Sequence, residues 1–247
     1  MNTAPYRICD LMVCEMARAI RDGETVFHGV ASPMPMTAIL LARAAHAKTL
    51  TYLNLPGGVN PAGLKPERYS SITGNLAEQG NCYFPLADIF DLAMRGGLDT
   101  AFFSGVQFDA AGNVNASVIG TYKHPRVRLP GGAGSAVLLP VVKRAILWRT
   151  KHDRRSFVQH VDFITARGNI DKIITTLAVF AYREGRLLLE RLHPHTSLEE
   201  VADNTGFPLE PLSAEGPGQT VPPTQAELFM LNRIDPRDSR NMEFLET

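Results

Sequence analysis

The sequence predicts an α/β protein with one open, mostly parallel sheet and flanking helices. Three observations predict it. Apolar residues recur at helical spacing in some segments and run continuously in short strand-length segments in others, and the two kinds alternate from the N-terminus. A strand-like stretch runs into a glycine-rich loop at Leu55–Gly58, where α/β proteins place ligands because backbone can approach closely, and a second glycine-rich loop lies at Gly131–Ser135. The 247 residues are 45% hydrophobic and 20% charged, enough to build a sizeable core.

Cys9–Arg21 carries Cys9, Met12, Val13, Met16, Ala17 and Ile20 on one helical face. Asp22-Gly23 ends it, and Thr25–Val30 reads as a buried strand. A second helix is expected over Met36–Ala47, with Pro35 suited to its first turn. Thr49–Leu53 is the next strand, so the start is helix, strand, helix, strand, the order of parallel strands with a right-handed crossover. Asn60–Asn81 is read as irregular, Leu86–Arg95 as a helix stopped by Gly96-Gly97, and Thr100–Ser104 as a strand. Asp109–Asn113 has turn chemistry, and Asn115–Gly120 is a further short strand.

The second glycine loop is followed by an apolar run, Val137–Val142. Ala145–Trp148 and Phe157–Phe163 are read as strands around a charged turn, Lys151–Arg155. Lys172–Tyr182 is read as one strand, Arg183–Arg186 as a hairpin turn and Leu187–Leu192 as the antiparallel partner. Ser197 and Glu200 have capping-box spacing for a helix over Ser197–Thr205. Glu215–Pro223 links to a last helix over Thr224–Ile234. The expected organisation is one α/β domain over 1–214 and a linker with a C-terminal arm over 215–247.

Composition excludes several classes. Lys+Arg and Asp+Glu are both 25, so no whole-chain field recruits nucleic acid or an acidic membrane. No segment reaches the ~18–20 apolar residues of a membrane span. Cys9, Cys14 and Cys82 make no CxxC pair, which favours a reducing cytoplasm, and Cys9 and Cys14 are expected as small buried hydrophobes. The histidines do not cluster at metal-ligand spacing, and His193-Pro194-His195 is a poor pair for one ion, so no metal is expected. His152 and His160 are read as solvated or paired with Asp153 and Asp162. Lys151–Arg155 suits a phosphate, a solvated turn or a subunit contact.

From the residues alone, the candidate site is the pair of glycine loops. Their backbone N–H groups suit an acyl or phosphate oxygen, although neither matches a dinucleotide fingerprint or a P-loop. From Thr49 to Gly63 there is no acid, base or thiol. Any chemistry there must use backbone, Asn54 and Asn60, or shape.

Longer stretches carry a resemblance. Gly97–Asp109 with Gly112-Asn113-Val114-Asn115, then Lys151–Val158 with Val161-Asp162-Phe163, then Leu177–Phe180, His193-Pro194 and Glu200–Phe207 follow one another in a known order. The chain from Tyr6 to about Asp238 thereby resembles the β subunit of family I CoA-transferases of the glutaconate type. The resemblance implies the open α/β sheet of the CoA-transferase type. It also implies an α-type partner subunit, an α2β2 heterotetramer, an active site at the α–β boundary and an acyl-CoA substrate. No cofactor is implied beyond coenzyme A as part of that substrate.

In that family a glutamate in the first loop attacks the thioester, a covalent route that divides one difficult acyl transfer into easier steps. Matching the family's E-x-G-x-x-[DN]-P to this chain puts Leu55 at the glutamate, followed by Pro56, Gly57, Gly58, Val59, Asn60 and Pro61. In the second loop, Ala133 and Val137 stand where the family has glycine and aspartate. A divergent branch, which includes steroid-ring-cleaving acyl-CoA hydrolases, also lacks this β-subunit glutamate and uses one from the α subunit. The resemblance therefore implies no catalytic residue in this chain. The expected substrate contacts are Asn54, Leu55, Gly57, Gly58, Gln107, Gly131, Gly132, Ala133, Gly134 and Ser135.

Overall fold

The computed structural model describes residues 6–63, 66, 75–78 and 80–245. Part of the expected irregular stretch Asn60–Asn81 therefore lies outside the described residues. The chain forms two compact units, one running to Phe102 and resuming at Pro222, the other Phe103–Val221.

In the first unit the order is α1 (Ile8–Ala19), β1 (Thr25–His28), α2 (Pro33–Ala45), β2 (Thr51–Leu53), β3 (Gly58–Val59), α3 (Asn75–Glu78), β4 (Cys82–Tyr83), α4 (Leu86–Met94) and β5 (Thr100–Ser104). β1 pairs in parallel with β2 and with β5, and its residues Val26 and Phe27 are buried, as a strand covered on both faces requires. β3 then pairs antiparallel with β2 and β4. α1 is buried nearly all round, including Cys9 and Cys14 as expected. Burial pushes both thiols up to about 12, so they behave as core side chains.

Two acids also face inward from α1. Asp10 accepts from Arg240 Nε at 2.7 Å, and Glu15 accepts from Arg18 at 2.9 Å. The Asp10–Arg240 pair ties α1 to the returning C-terminal segment. Its helix α7 (Gln225–Ile234) follows the second unit's elements, and its Thr224 and Glu227 make a reciprocal capping box. Glu227 also takes both Nε and Nη2 of Arg18, at 2.9 and 2.7 Å.

The second unit contains β6 (Gln107–Phe108), β7 (Val114–Asn115), β8 (Val118–Gly120), β9 (Pro125–Arg128), α5 (Ser135–Leu138), β10 (Arg144–Arg149), β11 (Ile170–Thr175), β12 (Ala178–Arg183), β13 (Arg186–Leu192), α6 (Leu198–Asn204) and β14 (Gly218–Gln219). β10 and β11 are parallel, β11–β12 and β12–β13 antiparallel, and β13–β14 parallel. The α/β class with a mixed sheet and flanking helices is as expected.

Three element assignments are corrected. Lys172–Tyr182 is two strands, because Thr175 Oγ1 bonds Ala178 O and accepts from the Leu177 and Ala178 N–H groups, closing a turn without glycine or proline. Asn115–Gly120 is likewise divided between β7 and β8. Phe157–Phe163 is no strand. Phe157 makes a single bridge to Phe108 and is wholly buried, stacked against His152 and Phe180.

Candidate functional site

The first glycine loop is a tight turn between β2 and β3. Asn54 closes it from inside: its Oδ1 accepts from Gly58 N at 2.9 Å and its Nδ2 donates to Leu76 O at 2.9 Å. The side chain is fully buried. Its amide hydrogen bonds shape the loop, and an Ala there would release both. Gly57 has φ +100°, and a Cβ on it would lie 2.2 Å from Phe84 O. A Cβ on Gly58 would lie 2.2 Å from Leu76 O. Both glycines are fixed by backbone packing. Leu55 and Pro56 at the turn are half-buried. Asn60, also at positive φ, accepts from Tyr52 N through its side chain at 2.8 Å.

Beside this loop lies a pair that sequence reasoning did not single out. His28, at the end of β1, places Nε2 2.6 Å from Tyr52 Oη and Nδ1 2.9 Å from Gly29 O. A carbonyl can only accept, so Nδ1 carries the proton and Nε2 accepts from the tyrosine. Burial pushes His28 down to about 4 and raises the Tyr52 hydroxyl. Only the histidine's place at the end of a buried apolar strand signals it in the sequence.

The second glycine loop belongs to the second unit. Gly131 has φ +93° and donates to Ala116 O at 2.8 Å. Ala133 has φ +43°, in the left-handed region where an alanine is strained. Gly132 is close-packed, since a Cβ would meet Thr165 Cγ2 at 2.8 Å. Gly134 precedes the short α5, and Ser135 Oγ donates to Gly132 O at 2.6 Å. The serine proton thus holds the loop closed.

Gln107 stands at one wall of a cavity of about 530 Å³ in the same unit. Its Oε1 accepts from Asn115 Nδ2 at 2.7 Å and from Asp162 N at 3.0 Å. That fixes the amide orientation, with Nε2 turned toward Asp162 Oδ2 at 3.4 Å. Asn115, fully buried, also donates to Val118 O and accepts from Ser117 N. Ser117 Oγ shares a 2.6 Å hydrogen bond with Thr165 Oγ1, which accepts from Ala116 N. One polar network thereby links the cavity wall to the residue that anchors Gly131.

The cavity is strongly cationic. Arg126, Arg149, Lys151, Arg154 and Arg155 line it, against Asp153 and Asp162. Asp153 is partly desolvated, but hydrogen bonds from Ser156 and Arg155 N hold its carboxyl below the usual range. Of these cations, the charged run supplied three to the sequence reading. Arg126 and Arg149 come from β9 and β10, which no local pattern joins to it.

His152 departs from expectation. It is buried, not solvated, between Thr175 Oγ1 at 2.9 Å and Thr205 Oγ1 at 3.1 Å, and burial pushes it down to about 3. His193 is also buried, with its nitrogens on Thr220 Oγ1 and Thr175 O, while His195 is exposed. Both His193 nitrogens are thereby taken by the fold. His160 is exposed. Among the described residues, no helix is long and apolar enough to cross a membrane.

Comparisons with known proteins agree on one family. Residues 11–204 match the family described as coenzyme A transferase. The chain is 29% identical over 251 residues to the β subunit of 3-oxoadipate CoA-transferase from Pseudomonas knackmussii, covering 94% of each. It is 24% identical to the β subunit of glutaconate CoA-transferase from Acidaminococcus fermentans, over 83% of this chain and 84% of that one. It is 26% identical to the cholesterol ring-cleaving hydrolase IpdB subunit of Rhodococcus jostii, over 65% and 69%. Among solved structures, the decarboxylase AibA/AibB superposes with TM-score 0.88 at 33% identity, over 95% of this chain and 97% of that one. Rhodococcus jostii RHA1 IpdAB gives 0.81 at 21% identity, over 97% and 99%, a likeness of fold.

Proposed function

Because the chain belongs to the coenzyme A transferase family, we propose that it is the β-type subunit of a heteromeric enzyme acting on an acyl-CoA thioester. Its α-type partner supplies the catalytic carboxylate, the assembly is an α2β2 heterotetramer, and the reaction is hydrolysis or C–C cleavage in preference to CoA transfer. The observation that carries this reading is Leu55. A half-buried leucine occupies the turn where the family's E-x-G-x-x-[DN]-P pattern has its glutamate, and a leucine has no lone pair with which to attack a thioester. The surrounding loop holds Gly57 and Gly58 in close backbone packing and offers no nucleophile of its own.

Backbone N–H groups of the glycine loops would stabilise negative charge developing on the thioester oxygen. The likenesses to a ring-cleaving hydrolase subunit and to a decarboxylase support C–C cleavage. Both thiols of α1 are free and buried, in keeping with a cytoplasmic enzyme.

The test is turnover of acyl-CoA thioesters by the chain with and without its α-type partner. Activity only in the complex, releasing free acid or a cleaved carbon skeleton, supports the proposal. CoA transfer by this chain alone would sink it. A second reading, true CoA transfer with a nucleophile on the partner, is favoured by the likeness to 3-oxoadipate CoA-transferase. Borohydride or hydroxylamine treatment after incubation with acyl-CoA separates the two, since only transfer through an acyl-enzyme leaves a modified glutamate. A third, a non-catalytic acyl-CoA-binding chain, requires that Gly132 and Gln107 replacements disturb assembly alone.

A further inference from the structure

The β8–β9 hairpin is a two-stranded sheet of its own. Successive side chains of a strand point to opposite faces, yet Arg126, Val127 and Arg128 are all exposed, so β9 is open on both sides. A two-stranded hairpin standing alone is marginally stable. This one is pinned at its root. Leu129 N donates to Ser117 O at 2.9 Å, Gly120 N to Asp162 Oδ2 at 2.8 Å, and the buried Asn115 Nδ2 to Val118 O at 2.6 Å. At the tip, Tyr122 stacks on Phe163 with centroids 5.1 Å apart, and Arg128 Cζ lies 4.9 Å from the Tyr122 ring centroid. The hairpin is thus held in one shape while Tyr122 and Val127 remain 57% and 49% exposed. Tyrosine and arginine are enriched where protein interfaces gain most energy, and a surface ordered beforehand loses less entropy on contact.

Charge indicates what covers this surface. Between Asp109 and Asp153 the chain holds seven Lys and Arg and no Asp or Glu, although the whole chain carries 25 of each sign. Lys123, Arg126 and Arg128 of the hairpin are exposed, and among the described residues none of them forms a salt bridge. Arg126 also lines the cationic cavity with Lys151 and Arg155, which extends the positive face beyond the hairpin. The two carboxylates there are engaged by backbone N–H groups, Asp153 by Arg155 and Ser156 and Asp162 by Gly120. A second copy of this chain is a poor occupant. A two-fold contact sets the same patch against itself, and like charges would meet. An acidic surface on a different chain is the complement.

We propose that the β8–β9 hairpin is a docking element for the α-type subunit, inserting into an acidic cleft of that chain whose carboxylates meet Arg126 and Arg128 and whose apolar side chains cover Val127. The proposal rests on the heteromeric reading for the existence of that subunit. It adds which surface of this chain receives it and what charge it carries there.

Hydrogen exchange reads this surface without any substitution. The full chain is compared alone, with the purified α-type subunit and with inorganic phosphate, and the amides of Gly120–Arg128 are expected to slow at least tenfold with the subunit only. Affinity for the subunit is then measured for the parent chain, Arg126→Glu, Arg126→Lys and Val127→Asp. Both positions are exposed, and each variant's thermal midpoint checks that it folds. Arg126→Glu and Val127→Asp are each expected to weaken association at least tenfold, and Arg126→Lys to weaken it less. Raising NaCl from about 0.05 to 0.5 M should weaken the parent complex and have less effect on Arg126→Glu. A complex that forms without slowing these amides, or that both disruptive variants leave unaltered, overturns the docking surface while the heteromer stands. No association of the parent chain with the subunit sinks the heteromeric reading, and the docking surface with it. Slowing by phosphate and not by the subunit would give the cations to a small anion, and self-association abolished by Arg126→Glu would give the face to a second copy; either overturns the proposal.

Discussion

The ring of His152 stacks on that of Phe157 with centroids 4.0 Å apart and planes 22° apart. Its two nitrogens meet the hydroxyls of Thr175 and Thr205, neutral partners, and burial outweighs the neighbouring Asp153 carboxylate, which by itself favours the charged ring.

This makes stability depend on pH in one direction. Burial lowers His152 from 6.5 to about 3, and His28 and His193 to about 4. Above 6.5 these groups are neutral folded and unfolded and contribute no slope. Between 6.5 and about 4 the unfolded chain binds more protons, so stability falls as pH falls. The urea midpoint is expected to be lower at pH 5 than at pH 7.5, and His152→Gln to flatten that dependence. A midpoint that holds constant between the two would refute the account.

Arg240 offers a different test. Its Nε meets Asp10 at 2.7 Å and its Nη1 meets Asp235 at 3.0 Å, with the arginine and Asp235 almost fully buried. Removing one member of a buried pair leaves the other charged and desolvated. Arg240→Ala is expected to lower unfolding free energy by about 3–5 kcal/mol. The exposed i, i+4 pair Arg95–Asp91 serves as a control, with an expected effect below about 0.5 kcal/mol. Equal losses at the two sites in chemical denaturation would contradict this assignment.

Ala133 is predicted to be strained. A left-handed alanine costs roughly 1–2 kcal/mol, while a glycine loses about 0.4–1 kcal/mol more backbone entropy on folding. The first term wins narrowly, so Ala133→Gly should raise stability by roughly 0.5 kcal/mol. Gly132→Ala should lower it, since its Cβ would press on Thr165 Cγ2 at 2.8 Å. Paired denaturation curves decide both, and a gain from Gly132→Ala would show the loop to be more yielding than its packing implies.

How far such features are legible in the sequence varies with the signal each leaves. α1, α2, α4 and β5 announce themselves by apolar period and by glycine or proline at their ends, and the structure places them within a few residues of expectation. The turn after β11 is hidden, because Thr175 replaces the usual glycine or asparagine with its own hydroxyl. Phe157 misleads for another reason: an aromatic in an extended segment reads as a strand, yet tertiary stacking on His152 and Phe180 fixes it. The glycine loops were visible as pattern. The cavity was not, since Arg126, Arg149 and Arg155 are brought together only by the packing of β9, β10 and the turn after β10.

Leu55 gives the most direct prediction about chemistry. If the loop lines an acyl pocket while the reacting carboxylate sits on the partner, Leu55 contributes binding common to ground and transition states. Leu55→Ala in the partnered enzyme should then raise KM by roughly 10-fold or more, as expected for lost apolar contact worth about 1–3 kcal/mol, and leave kcat largely unchanged. Leu55→Glu places a carboxylate at the turn, beside Gly57 and Gly58, whose close backbone packing fixes the loop. That variant is expected to form a borohydride-sensitive thioester on residue 55, visible by mass spectrometry, where the parent enzyme forms none. A collapse of kcat in Leu55→Ala with KM unchanged would instead place the reacting machinery at this turn. It would also remove the reason for assigning the catalytic carboxylate to another chain.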